Sequence, residues 1–276
     1  MLDLVGANRR YRLLRRLYRP LIHRFVPLSA DLEAYLREQI GVPRERITRI
    51  INGVDTTCFR PHAGAGAAFR AERRWPADVV VVGWVGRMEA VKNPLGLLTA
   101  FEALQRRHPD VAGRFRLALV GGGSQYNAVA EAAQARGLGD AVWMPGPCDD
   151  VAGLLSAFDL FVLPSLAEGI SNTILEAMAS GIPVLATDVG GNRELVVAGR
   201  TGTVVPARDA EAMADVMAAY AREPGRLTAE GLAARRRAKE AFSIDAMVAA
   251  YVGVYDRVLT ERRDGFGRLM QGSRTV

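Results

Sequence analysis

The sequence predicts an α/β fold, a doubly wound parallel sheet of the Rossmann-like kind, and three observations lead there. Apolar runs alternate with helical patterns from "DVVVVGWVGRM" at residue 78 to about residue 206. The runs are short and apolar throughout, as strands buried on both faces are. Parallel strands joined by helices cross over with one hand, which winds successive units onto both faces of the sheet. At 276 residues and 49% hydrophobic content, the chain has enough apolar material for one large α/β domain or two modest ones.

The elements follow in order. "NRRYRLLRRLYRPLIHRF" reads as a basic amphipathic helix, with Leu13, Leu14, Leu17, Leu21 and Phe25 near one face. "HRFVPLSADLEAYLREQIGVPRERITRIINGVD" reads as strand, helix, strand and turn, the helix capped by Ser29 or Asp31. One and a half α/β units cannot bury a sheet unaided, so residues 1–57 look like the end of an N-terminal domain whose beginning is absent. Residues 58–77, rich in Gly, Ala and Pro, have the composition of a connector.

Residues 78–242 carry the main domain. Its strands are expected at Val79–Val85, Arg116–Val120, Ala141–Met144, Leu160–Leu163, Val184–Ala186 and Gly202–Val205. Helices are expected at Pro94–Arg107, Ser124–Arg136, Val151–Ala157, Thr173–Ser180 and Arg193–Ala198. Asn93 is the expected cap before Pro94, where a missing N–H costs nothing. Asp149 or Asp150 would cap the helix at 151. Beyond 206 the pattern is helical: Asp209–Arg222, with Ala212, Met213, Val216 and Met217 on one face, then Ala229–Phe242 and a closing helix over 243–262. Residues 263–276 show no pattern and read as a disordered tail.

The net charge of +6 does not indicate a nucleic-acid partner. Residues 1–60 hold twelve Arg against six acids, so the whole excess lies there and the rest of the chain is balanced. The basic helix is then either a surface helix packed on the protein or a contact with an anionic membrane surface. With no run of about 18 apolar residues and no leader pattern, the expected location is cytoplasmic, at most against the inner face of the membrane. Cys58 and Cys148 have neither CxxC nor Cys/His spacing, which removes a disulfide framework and a zinc site.

In an open parallel sheet, ligands lie beyond the carboxyl ends of the strands, so the following loops carry the chemistry. After the first strand, "GRMEAVKNP" offers a sharp turn at Gly86 and two cations, Arg87 and Lys92. These either converge on an anion such as a diphosphate or are ordinary solvated charges. After the second, "VGGGSQ" exposes backbone N–H groups at Gly121 and Gly122, and the helix near Ser124 presents its positive end to an anion or a ribose. It is neither GxGxxG nor GxxxxGK[ST]. After the fourth, "AEGISNTILEAMASG" places Ser171 or Asn172 as cap of a helix starting near Thr173. Glu176 in its first turn is placed to accept two ribose hydroxyls, and Glu168 lies where a sugar beyond the phosphates would sit. The alternative is a solvated Glu168 and a Glu176 that merely complements the helix end.

"GWVGRMEAVKNP", "LVGGGSQ", "DLFVLPSLAEGISNTILEAMASGIPVLATDVGGNRELV" and "GTVVP", in this order, resemble the donor-binding domain of retaining glycosyltransferases with the GT-B fold, family 4. Glu168 and Glu176 match the EX7E signature, and the likeness runs from about residue 24 to 260. The passage "EGISNTILEAMASGIPVLATDVGGN" is most similar to bacterial transferases that build exopolysaccharide or cell-surface glycans.

The resemblance implies transfer of a sugar from a UDP- or GDP-sugar to a glycan or lipid-linked acceptor, with retention of configuration and without metal or cofactor. By the same resemblance Arg87 and Lys92 stabilise the leaving diphosphate, Glu168 contacts the sugar, and Glu176 binds the ribose. Pro147 and Cys148 lie beside the base, and Gly86, Gly121, Gly122, Gly169, Ile170, Ser171, Asn172 and Thr173 complete the donor site. The family places the acceptor, and a histidine near the transferred sugar, in a first domain, and His23, His62 and His108 match no such position. The chain therefore reads as a donor-binding half, poor at transfer alone. Alternatives are a module working with a separate acceptor-domain subunit, and a nucleotide-sugar epimerase on the same architecture.

Overall fold

The computed structural model describes residues 9–272. In chain order the elements are α1 (Arg9–Tyr18), α2 (Ala30–Ala34), α3 (Ala65–Glu72), β1 (Val80–Val85), α4 (Pro94–Arg107), α5 (Pro109–Ala112) and β2 (Phe115–Val120). There follow α6 (Tyr126–Ala135), β3 (Val142–Gly146), α7 (Val151–Leu155), β4 (Leu160–Leu163), α8 (Asn172–Ala179) and β5 (Val184–Thr187). The chain ends with α9 (Asn192–Leu195), β6 (Gly202–Val205), α10 (Ala210–Arg222), α11 (Pro224–Ala241) and α12 (Ile244–Gly272). Among the described residues, no helix is long and apolar enough to cross a membrane.

Two compact units divide the chain, Val54–Ser243 and a smaller one of Met1–Gly53 with Ile244–Val276. In the smaller unit Ser29 caps α2, its Oγ accepting from the Leu32 N–H, and the helix continues as a π-helical stretch over Tyr35–Ile40. The two strands expected here shrink to one parallel bridge between Phe25 and Ile47. Within the same unit α12 is tied to the front residues by an Arg24–Glu261 ion pair and by Gly53 N–H donating to Met247 Sδ at 3.1 Å. Helix α12 runs to Gly272, beyond the expected end at 262, so most of the expected disordered tail is helical backbone. Residues 273–276 of that tail lie outside the described residues.

Helix α1 is oriented against the ordinary rule for an amphipathic surface helix. Arginines of α1 and of the turn that follows it face the protein: Arg15 Nη1 donates to Tyr35 Oη at 2.7 Å, Arg16 Nε to the Gln39 carbonyl at 2.8 Å and, just beyond the helix, Arg19 Nη1 to the Gly41 carbonyl at 2.6 Å. Leu13, Leu14, Leu17 and Leu21 are exposed.

The larger unit holds one sheet of six parallel strands in the order β3-β2-β1-β4-β5-β6. Every residue of β1, β4 and β5 is buried, which is why their sequences are continuous apolar runs rather than alternating ones. Burying such a Val or Leu side chain is worth about 1.5–3 kcal/mol. Helix α4 packs against α6 and α10, while α8 packs against α7 and α11.

The expected connector is not a linker. Residues 65–72 form α3, whose buried Phe69 meets Trp75, Trp143 and Phe158 edge-on at 5.7, 5.2 and 6.1 Å. Arg70 binds the Val79 carbonyl and pairs with Asp159. Two aromatic contacts to distant residues, Trp143 and Phe158, and the ion pair with Asp159 give this segment the partners that its Gly- and Ala-rich composition conceals. Helix α11 likewise begins at Pro224 rather than at Ala229.

Candidate functional site

The strand order reverses direction between β1 and β4, since β2 and β3 lie on one side of β1 and β5 and β6 on the other side of β4. At such a switch point the two flanking loops diverge and leave a crevice outside the carboxyl ends of the strands. The loops are residues 86–93 and 164–171. They are stitched together by Leu166 N–H donating to the Val91 carbonyl at 2.8 Å and by Asn93 Nδ2 donating to the Pro164 carbonyl at 3.1 Å. This is a correction for Asn93: it adopts a left-handed conformation (φ 53°), makes no side-chain cap of α4, and spends its amide on the opposite loop. Pro94 does occupy the start of α4.

The centre of the crevice is an ion pair. Lys92 Nζ lies 2.6 Å from Glu168 Oε1, with side chains 22% and 7% exposed. Ser165 Oγ donates to the same oxygen at 2.7 Å, and Ser165 is fully buried, its carbonyl accepting from Thr187 Oγ1 at 2.6 Å. Glu168 is therefore a fixed, shielded carboxylate and not a solvated one. Its two partners share Oε1, and Oε2 accepts no hydrogen bond among the described residues.

Three residues on, Ser171 caps α8 as expected: its Oγ accepts from the Ile174 N–H at 3.4 Å and lies 3.0 Å from Thr173 Oγ1. The first N–H groups of a helix have no intrahelical acceptor, so this end of α8 carries partial positive charge beside the Lys92–Glu168 pair. Glu176 sits in the second turn of α8, not the first. Its carboxylate is half-buried, makes no side-chain hydrogen bond among the described residues, and is pushed up to about 7 by desolvation alone. An uncompensated carboxylate inside the fold is costly to keep unless something donates to it.

The glycine loop after β2 closes the other side. Gly121 N–H donates to the Gly146 carbonyl at 2.9 Å and Met88 N–H to the Gly122 carbonyl at 2.8 Å. A Cβ on Gly121 would stand 1.9 Å from the Gly86 carbonyl oxygen, and φ there is +133°; only glycine permits that approach. A Cβ on Gly122 would meet Pro147 at 3.3 Å, so the loops carrying Gly86, Gly121–Gly122 and Pro147 adjoin, with half-buried Cys148 following. The positive end expected near Ser124 is already occupied: Glu89 accepts from the Ser124 N–H at 3.1 Å and from its hydroxyl at 2.7 Å, which holds the Glu89 carboxyl below its usual range. Helix α6 itself starts at Tyr126.

Arg87 is not gathered into this cluster. It is exposed and its side chain has no hydrogen bond or ion pair among the described residues, whereas Lys92 is already engaged. A further loop does join the site: Gly191 N–H donates to the Gly169 carbonyl at 2.9 Å, and a Cβ on Gly190 would lie 1.9 Å from the Glu168 carbonyl oxygen. The Ile170 side chain lies against Gly191 of this turn. Sequence reasoning missed Ser165, Glu89 and this Gly190–Gly191 turn. The consecutive glycines of "DVGG", directly after an apolar run, were a readable signal for the last; Ser165 stands three residues before Glu168, a local spacing, while Glu89 depends on a distant partner, Ser124.

The family model described as Glycosyl transferases group 1 matches residues 79–223, more than half of the chain, and the chain belongs to that family. A D-inositol 3-phosphate glycosyltransferase of Nocardia farcinica is 35% identical over 218 residues, covering 76% of this chain and 48% of the relative. The lipopolysaccharide core biosynthesis mannosyltransferase LpsB of Rhizobium meliloti is 34% identical over 218 residues, 77% of this chain and 61% of LpsB. The chain thus spans about half the length of most curated relatives it matches.

Solved structures agree on architecture. Sucrose-phosphate synthase of Thermosynechococcus elongatus superposes with a TM-score of 0.77 at 28% identity, over 95% of this chain and 65% of that one. HepE of Anabaena, solved with UDP-glucose, gives 0.75 at 23% over 94% and 70%. The C-terminal domain of LpcC from Francisella tularensis, itself a glycosyl transferase group 1 family protein, gives 0.61 at 20% over 70% of this chain and all of that domain. The six-stranded parallel sheet is that of the Rossmann-like C-terminal domain of GT-B glycosyltransferases.

Proposed function

We propose that this chain binds a nucleoside-diphosphate sugar in the β1/β4 crevice and serves as the donor-binding part of a retaining, metal-independent glycosyltransferase. The observation that carries the reading is the grouping of Lys92, Glu168 and the capped start of α8, with an unpartnered Glu176 one turn further along the helix. In this reading the ribose diol donates to Glu176 and offsets the cost of its burial. The diphosphate lies between the start of α8 and Lys92, which exchanges Glu168 for phosphate oxygens. Glu168, held through Oε1 by Ser165, directs Oε2 to the sugar. Arg87, exposed and without a bond to break, swings onto the diphosphate as it leaves, so cationic charge on the protein takes the place of a metal. Gly86, Gly121 and Gly122 give the donor close access to backbone, and Pro147 and Cys148 flank the base.

Membership of the family and the neighbouring structures, among them one solved with UDP-glucose, support a nucleotide-sugar donor. Relatives named for an inositol phosphate and for a lipopolysaccharide core support a glycan-building role with a glycan or lipid-linked acceptor, the acceptor side being supplied by a further domain or subunit. The reading is tested by titrating UDP and uridine into the wild type and Arg87→Ala. UDP should lose roughly tenfold in affinity, the scale of one charge-assisted contact, while uridine is unaffected. Equal losses for both ligands refute the role given to Arg87.

A further inference from the structure

Ahead of β6, at the amino end of the sheet and so away from the crevice, the loop before Gly202 meets the C-terminal half of α11 around a cavity of about 140 Å³. Arg200, Arg236, Arg237 and Glu240 line it, with Val197 and Ala233 among the apolar walls. Arg237 is preorganised: its Nε donates to the Leu195 carbonyl at 3.0 Å, its Nη2 to the Glu194 carbonyl at 2.8 Å, and its guanidinium stands 5.0 Å from the Phe242 ring centroid. These contacts leave Nη1 of Arg237 without a partner among the described residues. The side chains of Arg200 and Arg236 have no hydrogen bond or ion pair there either. Other arginines of this unit are neutralised by carboxylates, Arg107 by Asp215 and Glu211 and Arg222 by Asp110.

We propose that this pocket binds a phosphate monoester. Three guanidinium groups against one carboxylate leave a formal excess of two positive charges, which a monoester dianion neutralises. Guanidinium forks suit tetrahedral phosphate oxygens, and Arg237 is held by its carbonyl contacts before any ligand arrives, so less order is lost on binding. The site shares no residue with the donor crevice, and the proposal does not depend on the function assigned there.

The test is calorimetric titration of inorganic phosphate and of glycerol 3-phosphate, at low ionic strength and with saturating UDP present throughout. Both should bind saturably, glycerol 3-phosphate at least as tightly as phosphate. The double variant R200E/R236E should lose at least about tenfold for each. Both positions are exposed, so the melting temperature of this variant should match the wild type, and Arg87→Ala should leave phosphate binding untouched. No saturable binding by the wild type, affinity unchanged in the double variant, or affinity lowered by Arg87→Ala would each overturn the assignment. Binding of inorganic phosphate with exclusion of glycerol 3-phosphate would overturn the monoester.

Discussion

Glu176 offers the sharpest prediction because its environment sets both sign and size. Burial without a compensating donor raises its carboxyl from the ordinary 4.5 to about 7. A folded-state value above the unfolded one means that the native state holds the proton more tightly, so unfolding free energy falls as pH rises from about 4.5 through 7. A ribose diol can donate through both hydroxyls, one to each oxygen, only to the ionised form. With a value near 7, the ionised fraction climbs from roughly a tenth at pH 6 to roughly nine tenths at pH 8, a factor near ten or ~1.4 kcal/mol.

The assay is calorimetric titration of UDP at pH 6, 7 and 8 against wild type and Glu176→Gln. The terminal phosphate of UDP also titrates in this range, but it does so equally for both proteins, so the ratio of affinities isolates the carboxylate. That ratio should move about tenfold in favour of wild type between pH 6 and 8, with proton release on binding near pH 7. A ratio that is flat with pH, or that moves the other way, would refute the assignment of Glu176 to the ribose.

Other outcomes follow from the same geometry. Lys92→Ala leaves Glu168 shielded with only Ser165 as donor and should destabilise the larger unit by about 1–3 kcal/mol in chemical unfolding. Adding Glu168→Gln should recover part of that loss, and additive losses would show that the pair is not coupled. Gly190→Ala forces a Cβ against the Glu168 carbonyl at a positive φ, for an expected cost of about 1–3 kcal/mol and weaker UDP binding. An unchanged melting temperature there would mean that the 190–191 turn does not support the Glu168 loop.

How much was legible in the chain differs between the sheet and the site. The bounds of β4, β6 and α4 are readable to the residue, because Leu160–Leu163 and Gly202–Val205 are short apolar runs set between breakers and Pro94 marks a helix start. The caps at Ser171 and Asp150, each one of two adjacent candidates in the sequence, follow from side-chain chemistry within three residues, whereas Asp209, expected as the first residue of its helix, proves to be the cap. Less legible were features decided by distant partners. Composition marked residues 58–77 as a linker, yet α3 is recruited by Trp143, Phe158 and Asp159, far along the chain. Asn93 looks like a cap, but in its left-handed conformation Oδ1 accepts from no helix N–H and Nδ2 donates instead to the Pro164 carbonyl. Arg87 and Lys92 look equivalent in sequence, and only the fold separates one exposed cation from one paired with Glu168. The arginine-inward orientation of α1 is invisible to a helical wheel, which locates the apolar stripe without saying which way it points.

The claim on which the account rests is that one crevice, at the β1/β4 switch point, holds the diphosphate between the start of α8 and Lys92. A crystal structure with UDP tests it directly. The account predicts phosphate oxygens about 3 Å from Lys92 Nζ and from the first amides of α8, with the ribose hydroxyls on Glu176. Nucleotide density at any other part of the sheet, or in the crevice with Lys92 still bound to Glu168 and the ribose turned away from Glu176, would contradict it.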